Sequence, residues 1–287
     1  MVGRIVGLSC GIYSIDSDGV IYKAPARGLF RKKNVKPVVG DIVDFDNINF
    51  IITEVHERTS LLKRPPISNI DQMFIVESLV EPEFSYLLAF KYLTYANMNN
   101  IKAKIVLTKI DKFKDEEKLK EIINTFTSMD IEVYCVNNKS GEGLDKIKPL
   151  FSNHVTCFIG QTGVGKSSLV NAIDPNYERM VGEYSKALGR GKHQTKEVIL
   201  LPYANGYIAD TPGFSSLELN LYKEDLAIYF PGFGERYTNC YFSNCLHISE
   251  TKCAVKEAME QGKISPIAYD CYKKLSEETI YKSRRYE

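Results

Sequence analysis

The stretch GQTGVGKSSL, from Gly160 to Leu169, limits what this chain can fold into more than any other. It fits G-x-x-x-x-G-K-[ST] at every fixed position. An apolar segment, VTCFIG, runs into it, and a helical one, KSSLVNAI, runs out of it. A strand, a glycine loop and a helix in that order make backbone N–H groups converge at a helix N-terminus, a place that favours phosphate. Lys166 is then placed to reach β- and γ-phosphates, and Ser167 to ligate Mg²⁺. An incidental glycine-rich turn has no need of both flanks.

Two further elements support a nucleotide site. Asp210-Thr211-Pro212-Gly213 closes the apolar run GYIAD. At the tip of a parallel strand, Asp210 can hold Mg²⁺ through water, and the Gly213 N–H can contact a γ-phosphate. Thr108-Lys109-Ile110-Asp111 lies between an apolar run and a polar helical one. A carboxylate at Asp111 can accept from guanine N1–H and the 2-amino group. Adenine offers neither donor, so the carboxylate selects guanine. Lys109 can lie along the base and sugar. One unit later, NNKSGEGL places Ser140-Gly141 where a backbone N–H can meet the guanine oxygen.

The order is base reader, second base loop, phosphate loop, switch, whereas the phosphate loop usually comes first. A compact domain often has its ends close together, so the chain can be closed and reopened elsewhere without losing the sheet. The expected result is a circularly permuted GTPase domain with its last switch beside the exit to the C-terminal segment. A change at the γ-phosphate can then pull directly on that segment.

The remaining chain divides by texture. Residues 1–68 hold short β-rich runs broken by Asp18-Gly19 and Gly40-Asp41, the pattern of a small all-β barrel. KRPPISN, Lys63 to Asn69, reads as a linker. Residues 69–221 alternate strands and helices, as in a doubly wound α/β sheet with buried parallel strands. Residues 222–287 are rich in Cys, Tyr and charge, and read as helical after Lys252. No apolar run approaches a membrane span and no signal peptide is evident, so a cytoplasmic location is expected.

Seven cysteines without a secretory signal argue against a disulfide framework. Cys10, Cys135 and Cys157 sit in strand-like runs and read as small core residues. Cys240, Cys245, His247 and Cys253 give three thiolates and an imidazole within a short span, the ligand set of a closed structural zinc site. A net charge of +1 favours no partner, but Gly19 to Gly40 contains no acid. Lys23, Arg27, Arg31, Lys32, Lys33 and Lys36 lie there, forming either a solvated loop or a phosphate-facing, RNA-binding surface.

Taken together, RGLFRKK, VVGDIVDF, NIDQMFIV, TKID, GQTGVGKSSLVNAI, GRGKHQTK, DTPGF and the Cys-Cys-His-Cys cluster resemble the circularly permuted ribosome-assembly GTPases of the RsgA/YjeQ family. The resemblance covers nearly the whole chain. It implies an OB-fold over 1–68, a permuted GTPase domain over 69–221 and a small zinc-binding domain over 222–287. It implies late maturation of the small (30S) ribosomal subunit and its rRNA, with GTP hydrolysis to GDP stimulated by the subunit. Membrane is not an expected partner, and a monomer is expected.

Carried over, Gly160, Gln161, Thr162, Gly163, Val164, Gly165, Lys166, Ser167 and Ser168 bind phosphates. Thr108, Lys109 and Asp111 belong to the guanine reader. GRGKHQTK, Gly189 to Lys196, corresponds to the first switch, with Thr195 as the Mg²⁺-sensing hydroxyl, although Gln194 replaces a threonine common in the family. Where Ras-like enzymes carry a water-orienting Gln, this chain has Phe214, so slow intrinsic turnover is expected. His193 is a catalytic candidate in its place; its alternative is a solvated or RNA-facing side chain. A competing reading is a slow GTP-dependent switch acting on a protein partner through the zinc domain.

Overall fold

Turn chemistry sets the N-terminal barrel. Strands β1 (Val2–Ser9) and β2 (Ile12–Ser17) are joined by Cys10-Gly11, with φ of 49° and 81°. Asp18-Gly19, at 53° and 81°, joins β2 to β3 (Val20–Pro25). Positive φ at both central positions marks the tight turn whose twist suits a hairpin. With β4 (Ile42–Asp46) and β5 (Ile51–Val55), the antiparallel order is β3-β2-β1-β4-β5. A parallel bridge from Ala26 to Ile52 brings the two edges together, closing an OB-like barrel. Ile5, Ile15, Val43, Phe45 and Ile52 fill it. Cys10 is exposed at the turn and is not the core residue expected; Cys157 is buried and Cys135 half-buried. The computed structural model describes residues 1–26, 30, 36–63, 65–177, 179–180, 182, 198–210 and 217–278, Asp210 by its backbone only.

The proline-rich stretch expected to be a linker is a hairpin. Strands β6 (Leu61–Lys63) and β7 (Pro66–Ser68) pair, with Leu62 opposite Ile67 and both fully buried. Proline is tolerated because an edge strand can spare an N–H. Asp41, also fully buried, pins the hairpin to the barrel. It accepts from Arg58 Nε at 2.7 Å, Arg58 Nη2 at 2.8 Å, Ser68 Oγ at 2.5 Å and Val38 N at 2.8 Å. Burying a carboxylate is costly unless its oxygens are hydrogen-bonded in this way.

The central sheet contains β8 (Gln72–Ser78), β9 (Lys102–Thr108), β10 (Val133–Cys135), β11 (Val155–Ile159), β12 (Ile199–Tyr203) and β13 (Gly206–Asp210). Its order is β10-β9-β8-β11-β13-β12. All neighbours are parallel except β12, which pairs antiparallel with β13. An all-parallel sheet is therefore corrected at one edge: Ala204-Asn205 turns the chain back directly, both with positive φ. Ile75 and Ile105 pack on one face, Phe74 and Val106 on the other, as expected for strands covered on both sides. Helices α1 (Tyr86–Met98), α2 (Glu116–Thr127), α3 (Leu144–Ile147) and α4 (Lys166–Ile173) complete the layers. The Asp115 carboxylate caps α2 by accepting from Lys118 N at 2.9 Å.

Beyond the sheet come α5 (Lys223–Tyr229), α6 (Ala254–Glu260) and α7 (Pro266–Glu278). They dock on α1. Phe90 stacks on Phe230 with centroids 5.2 Å apart, Asn97 Nδ2 donates to Tyr229 O at 2.8 Å, and Lys91 pairs with Glu278 at 3.1 Å. On the opposite flank the barrel meets the β12–β13 hairpin, where Tyr207 Oη donates to Asp16 at 2.9 Å. One continuous apolar core runs from Ile5 through Phe90 to Tyr272. Among the described residues, no helix is long and apolar enough to cross a membrane.

Candidate nucleotide site and metal cluster

The C-terminal ends of β8, β9 and β11 bring the loops of the site together. After β11 the chain turns through Gly160, where a Cβ would stand 2.1 Å from Val76 O; no side chain fits. The loop Gly160–Gly165 opens α4, with Val164 buried beneath it and Thr162, Gly163, Ser167 and Ser168 exposed above. Gln161 is half-buried. Lys166 Nζ donates to Gly160 O at 2.5 Å and to Gln161 O at 2.6 Å. Burial lowers its pKa, and the nearby Glu77 opposes that shift.

The base-reading segment follows β9. Thr108 is buried and donates from Oγ1 to Val164 O at 2.6 Å. Lys109, with φ of 59°, turns its ammonium to Gly163 O at 3.0 Å and also to Glu81 O. Asp111 is exposed in the short helical turn that follows. The fold thus places TKID against the phosphate loop, although the two lie some fifty residues apart, with α2, β10, α3 and β11 between them.

The second base loop differs from expectation. Asn137 Oδ1 accepts from Lys139 N at 3.0 Å and Ser140 N at 3.3 Å, while Gly141 N donates to Asn137 O at 2.9 Å. The N–H groups of Ser140 and Gly141 are committed inside the turn, an Asn-driven arrangement. The N–H of Asn138 has no acceptor among the described residues and is the one this turn leaves open.

Glu77, near the end of β8, is passed over in a sequence reading. It is 1% exposed, and neither carboxylate oxygen has a partner among the described residues. Burial pushes its pKa up to about 8, against the pull of Lys166. The only signal in the sequence is an acid interrupting the apolar run QMFIVES.

Thr195 and His193, with the rest of Gly189 to Lys196, lie outside the described residues, as do Thr211 to Phe214, including Gly213, and the Asp210 side chain. So do Arg27, Arg31, Lys32 and Lys33; Lys23 on β3 and Lys36 are exposed.

In the C-terminal region, Cys240, Cys245, His247 and Cys253 place their ligand atoms within 4.8 Å of one another, a group that could hold a metal ion. His247 Nδ1 stands 3.4 Å from both Cys240 Sγ and Cys253 Sγ, which are 3.8 Å apart. Side chains hold the loop. Tyr269 Oη donates to His247 O at 2.8 Å and Tyr272 Oη to Leu246 O at 2.9 Å. The Glu250 carboxylate accepts from Leu246 N, Ile248 N and Ser249 N.

Comparison with known proteins gives consistent relatives. The family model described as RsgA GTPase matches residues 55–220, and that described as RsgA N-terminal domain matches residues 2–50. The small ribosomal subunit biogenesis GTPase RsgA of Halalkalibacterium halodurans is 40% identical over 289 residues, covering 99% of this chain and 98% of the relative. The protein of the same description from Bacillus subtilis is 40% identical over 296 residues, covering 99% of each. Among solved structures, YjeQ from Thermotoga maritima is similar with a TM-score of 0.85 and 31% identity, covering 98% of this chain and 99% of that one. YloQ, described as a circularly permuted GTPase, gives a TM-score of 0.81 at 35% identity, covering 97% and 94%.

Proposed function

This chain belongs to the RsgA GTPase family, and from that membership we propose that it binds the small ribosomal subunit and assists its late maturation, hydrolysing GTP to GDP and phosphate under stimulation by the subunit. The observation that carries this reading is the bond from Thr108 Oγ1 to Val164 O, which seats the base-reading segment on the phosphate loop in a permuted chain. The names borne by the relatives favour this reading over a protein-directed switch.

Within the site, Asp111 accepts from guanine N1–H and the 2-amino group, and Lys109 flanks the base. The open N–H of Asn138 takes the role expected of Ser140-Gly141 at the guanine oxygen. Gly160 to Ser168 cradle the phosphates, with Lys166 turning from its loop carbonyls to the β- and γ-phosphates. Ser167, Thr195 and Asp210 are the residues to hold Mg²⁺, which supplies neutralising charge at the phosphates. Gly213 and Thr195 sense the γ-phosphate, and His193 is the candidate to orient water, since Phe214 has no polar group for it.

The cysteine cluster fits zinc. Tetrahedral coordination with bonds of about 2.3 Å to sulfur and about 2.0 Å to nitrogen puts two sulfurs about 3.8 Å apart and sulfur and nitrogen about 3.5 Å apart. The spacings of 3.8 and 3.4 Å agree. Zinc here is structural, because four protein ligands leave no open position. We assign residues 1–68 to the OB-fold, 69–221 to the GTPase domain and 222–287 to the zinc-binding domain. The basic residues Lys23 to Lys36 present the barrel to rRNA in a cytoplasmic, monomeric protein.

Co-sedimentation with purified small subunits tests the proposal. Binding should be tighter with a non-hydrolysable GTP analogue than with GDP, because linkage between two bound partners is reciprocal. It should weaken steeply with salt, as phosphate contacts do. Equal affinity in both nucleotide states would contradict the reading.

A further inference from the structure

Three consecutive carbonyls of the phosphate loop are each held by a side chain from a base-reading loop. Lys109 Nζ donates to Gly163 O at 3.0 Å, Thr108 Oγ1 to Val164 O at 2.6 Å, and Asn138 Nδ2 to Gly165 O at 3.2 Å. A carbonyl only accepts, so the amide nitrogen of Asn138 must be the atom that faces it. In a planar trans peptide the C=O and the following N–H point opposite ways. Holding these oxygens on the base side therefore turns the N–H groups of Val164, Gly165 and Lys166 away from it, into the cradle.

Asn138 differs from the other two. Thr108 and Lys109 belong to the base reader, whereas Asn138 lies in the second base loop and ties it to the first peptide of α4. Gly165 O already accepts from Leu169 N at 2.8 Å within the helix, so the amide takes its second lone pair. Gly165 has φ of +98°, which strains any side chain, and a Cβ there would sit 3.2 Å from Asn138 Nδ2 and press on the amide. The other end of the amide, Oδ1, is buried and has no partner among the described residues. The donor is thus the working half of this side chain in the fold.

We propose that Asn138 is a positioning residue that fixes the spacing between the guanine pocket and the phosphate cradle, so that one nucleotide fills both at once. The inference rests on the reading of this site as a guanine-nucleotide site. Its energetic content is a connection. A ligand that bridges two subsites gains an effective concentration set by how rigidly they are spaced, while a ligand that fills one subsite gains nothing from that spacing.

The test uses the full-length protein with Mg²⁺ and three probes: GDP, guanosine and inorganic pyrophosphate, each measured by competition against a fluorescent GDP. A net hydrogen bond corresponds to about a fivefold change in affinity. Asn138→Ala should weaken GDP about five- to tenfold while guanosine and pyrophosphate each change by less than about twofold. Asn138→Asp, which sets an oxygen against Gly165 O, should weaken GDP at least as much. Asn138→Ser carries the same expectation if the alanine variant does not fold. Unchanged GDP affinity in these variants would overturn the proposal. An equal loss for GDP and both fragments would also overturn it, by showing a general loosening of the loop. Failure of the parent protein to bind GDP would instead remove the nucleotide-site reading itself.

Discussion

The phosphate loop and the cysteine cluster are both small polar constellations, but they are held by opposite means. The loop hangs from β11, a strand in the middle of the sheet, and its carbonyls are fastened by Lys109, Thr108 and Asn138. Regular structure does the positioning before any ligand arrives. The cluster lies in a segment without strands, between a short helical turn at Gly234–Asn239 and α6. Its carbonyls are held by two tyrosine hydroxyls and its N–H groups by one glutamate. Four ligand atoms crowd together there at the edge of the core, beside Phe233 and Tyr272, and the proposed zinc would tie their loop together. Rigidity thus comes from the sheet at one site and, on the proposed reading, from coordination at the other.

The sharpest way to break that contrast is to remove the metal. Structural zinc binding is worth on the order of 10 kcal/mol in small domains. Stripping zinc, or Cys245→Ser, should expose amides across 240–278 to hydrogen exchange while 155–173 stay protected and GDP still binds. Elemental analysis of carefully purified protein should find one zinc per chain. Protection of both regions after complete zinc removal would show that the C-terminal core stands alone.

Glu77 tests the other half. Burial lifts its carboxyl to about 8 in the folded chain, from an ordinary 4.5. Between those values the unfolded chain holds fewer protons than the folded one, so stability is full below pH 4.5 and falls as pH rises to about 8. The loss is on the order of 5 kcal/mol. Glu77→Gln should therefore melt higher than the parent at pH 8.5, with the gap narrowing towards pH 5. A parallel pH dependence of both melting curves would place the carboxyl in contact with water. Asp111→Asn comes next in size: it removes one charged acceptor pair, so GDP should bind on the order of 100-fold more weakly and xanthine nucleotide should gain. Unaltered GDP affinity would move the base reader elsewhere.

These effects also mark what the sequence makes readable. The glycine loop and TKID are legible because backbone geometry and hydrogen-bond chemistry permit few other residues there. The cluster of three cysteines and His247 is legible because its ligands are close in sequence. The hairpin at Pro66 is not, since its reason lies in the burial of Leu62 and Ile67 in the barrel's core and in the bond from Ser68 to Asp41, contacts with segments distant in sequence. Strand β12 is announced by an apolar run and the turn dipeptide Asn205-Gly206, but that it adds antiparallel to the sheet edge is visible only in its pairing with β13. That Asn137 turns the N–H groups of Ser140 and Gly141 inward, leaving that of Asn138 for the proposed contact, is a matter of three-dimensional detail.

The smallest expected effect refines the comparison. Tyr272→Phe removes one donor to Leu246 O and keeps the packing of the ring on Phe233. It should cost about 1 kcal/mol, read as slightly faster zinc loss to a chelator, with GDP affinity unaltered. Loss of zinc at the parent's rate would show that coordination alone holds the loop.

The central claim is that this GTPase depends on its partner for turnover. Phe214 offers no group to orient water, so single-turnover GTP hydrolysis by the protein alone should be well below about 1 s⁻¹. Saturating purified small ribosomal subunits should accelerate it strongly. Fast hydrolysis in their absence, or a rate that does not change when they are added, would contradict the account.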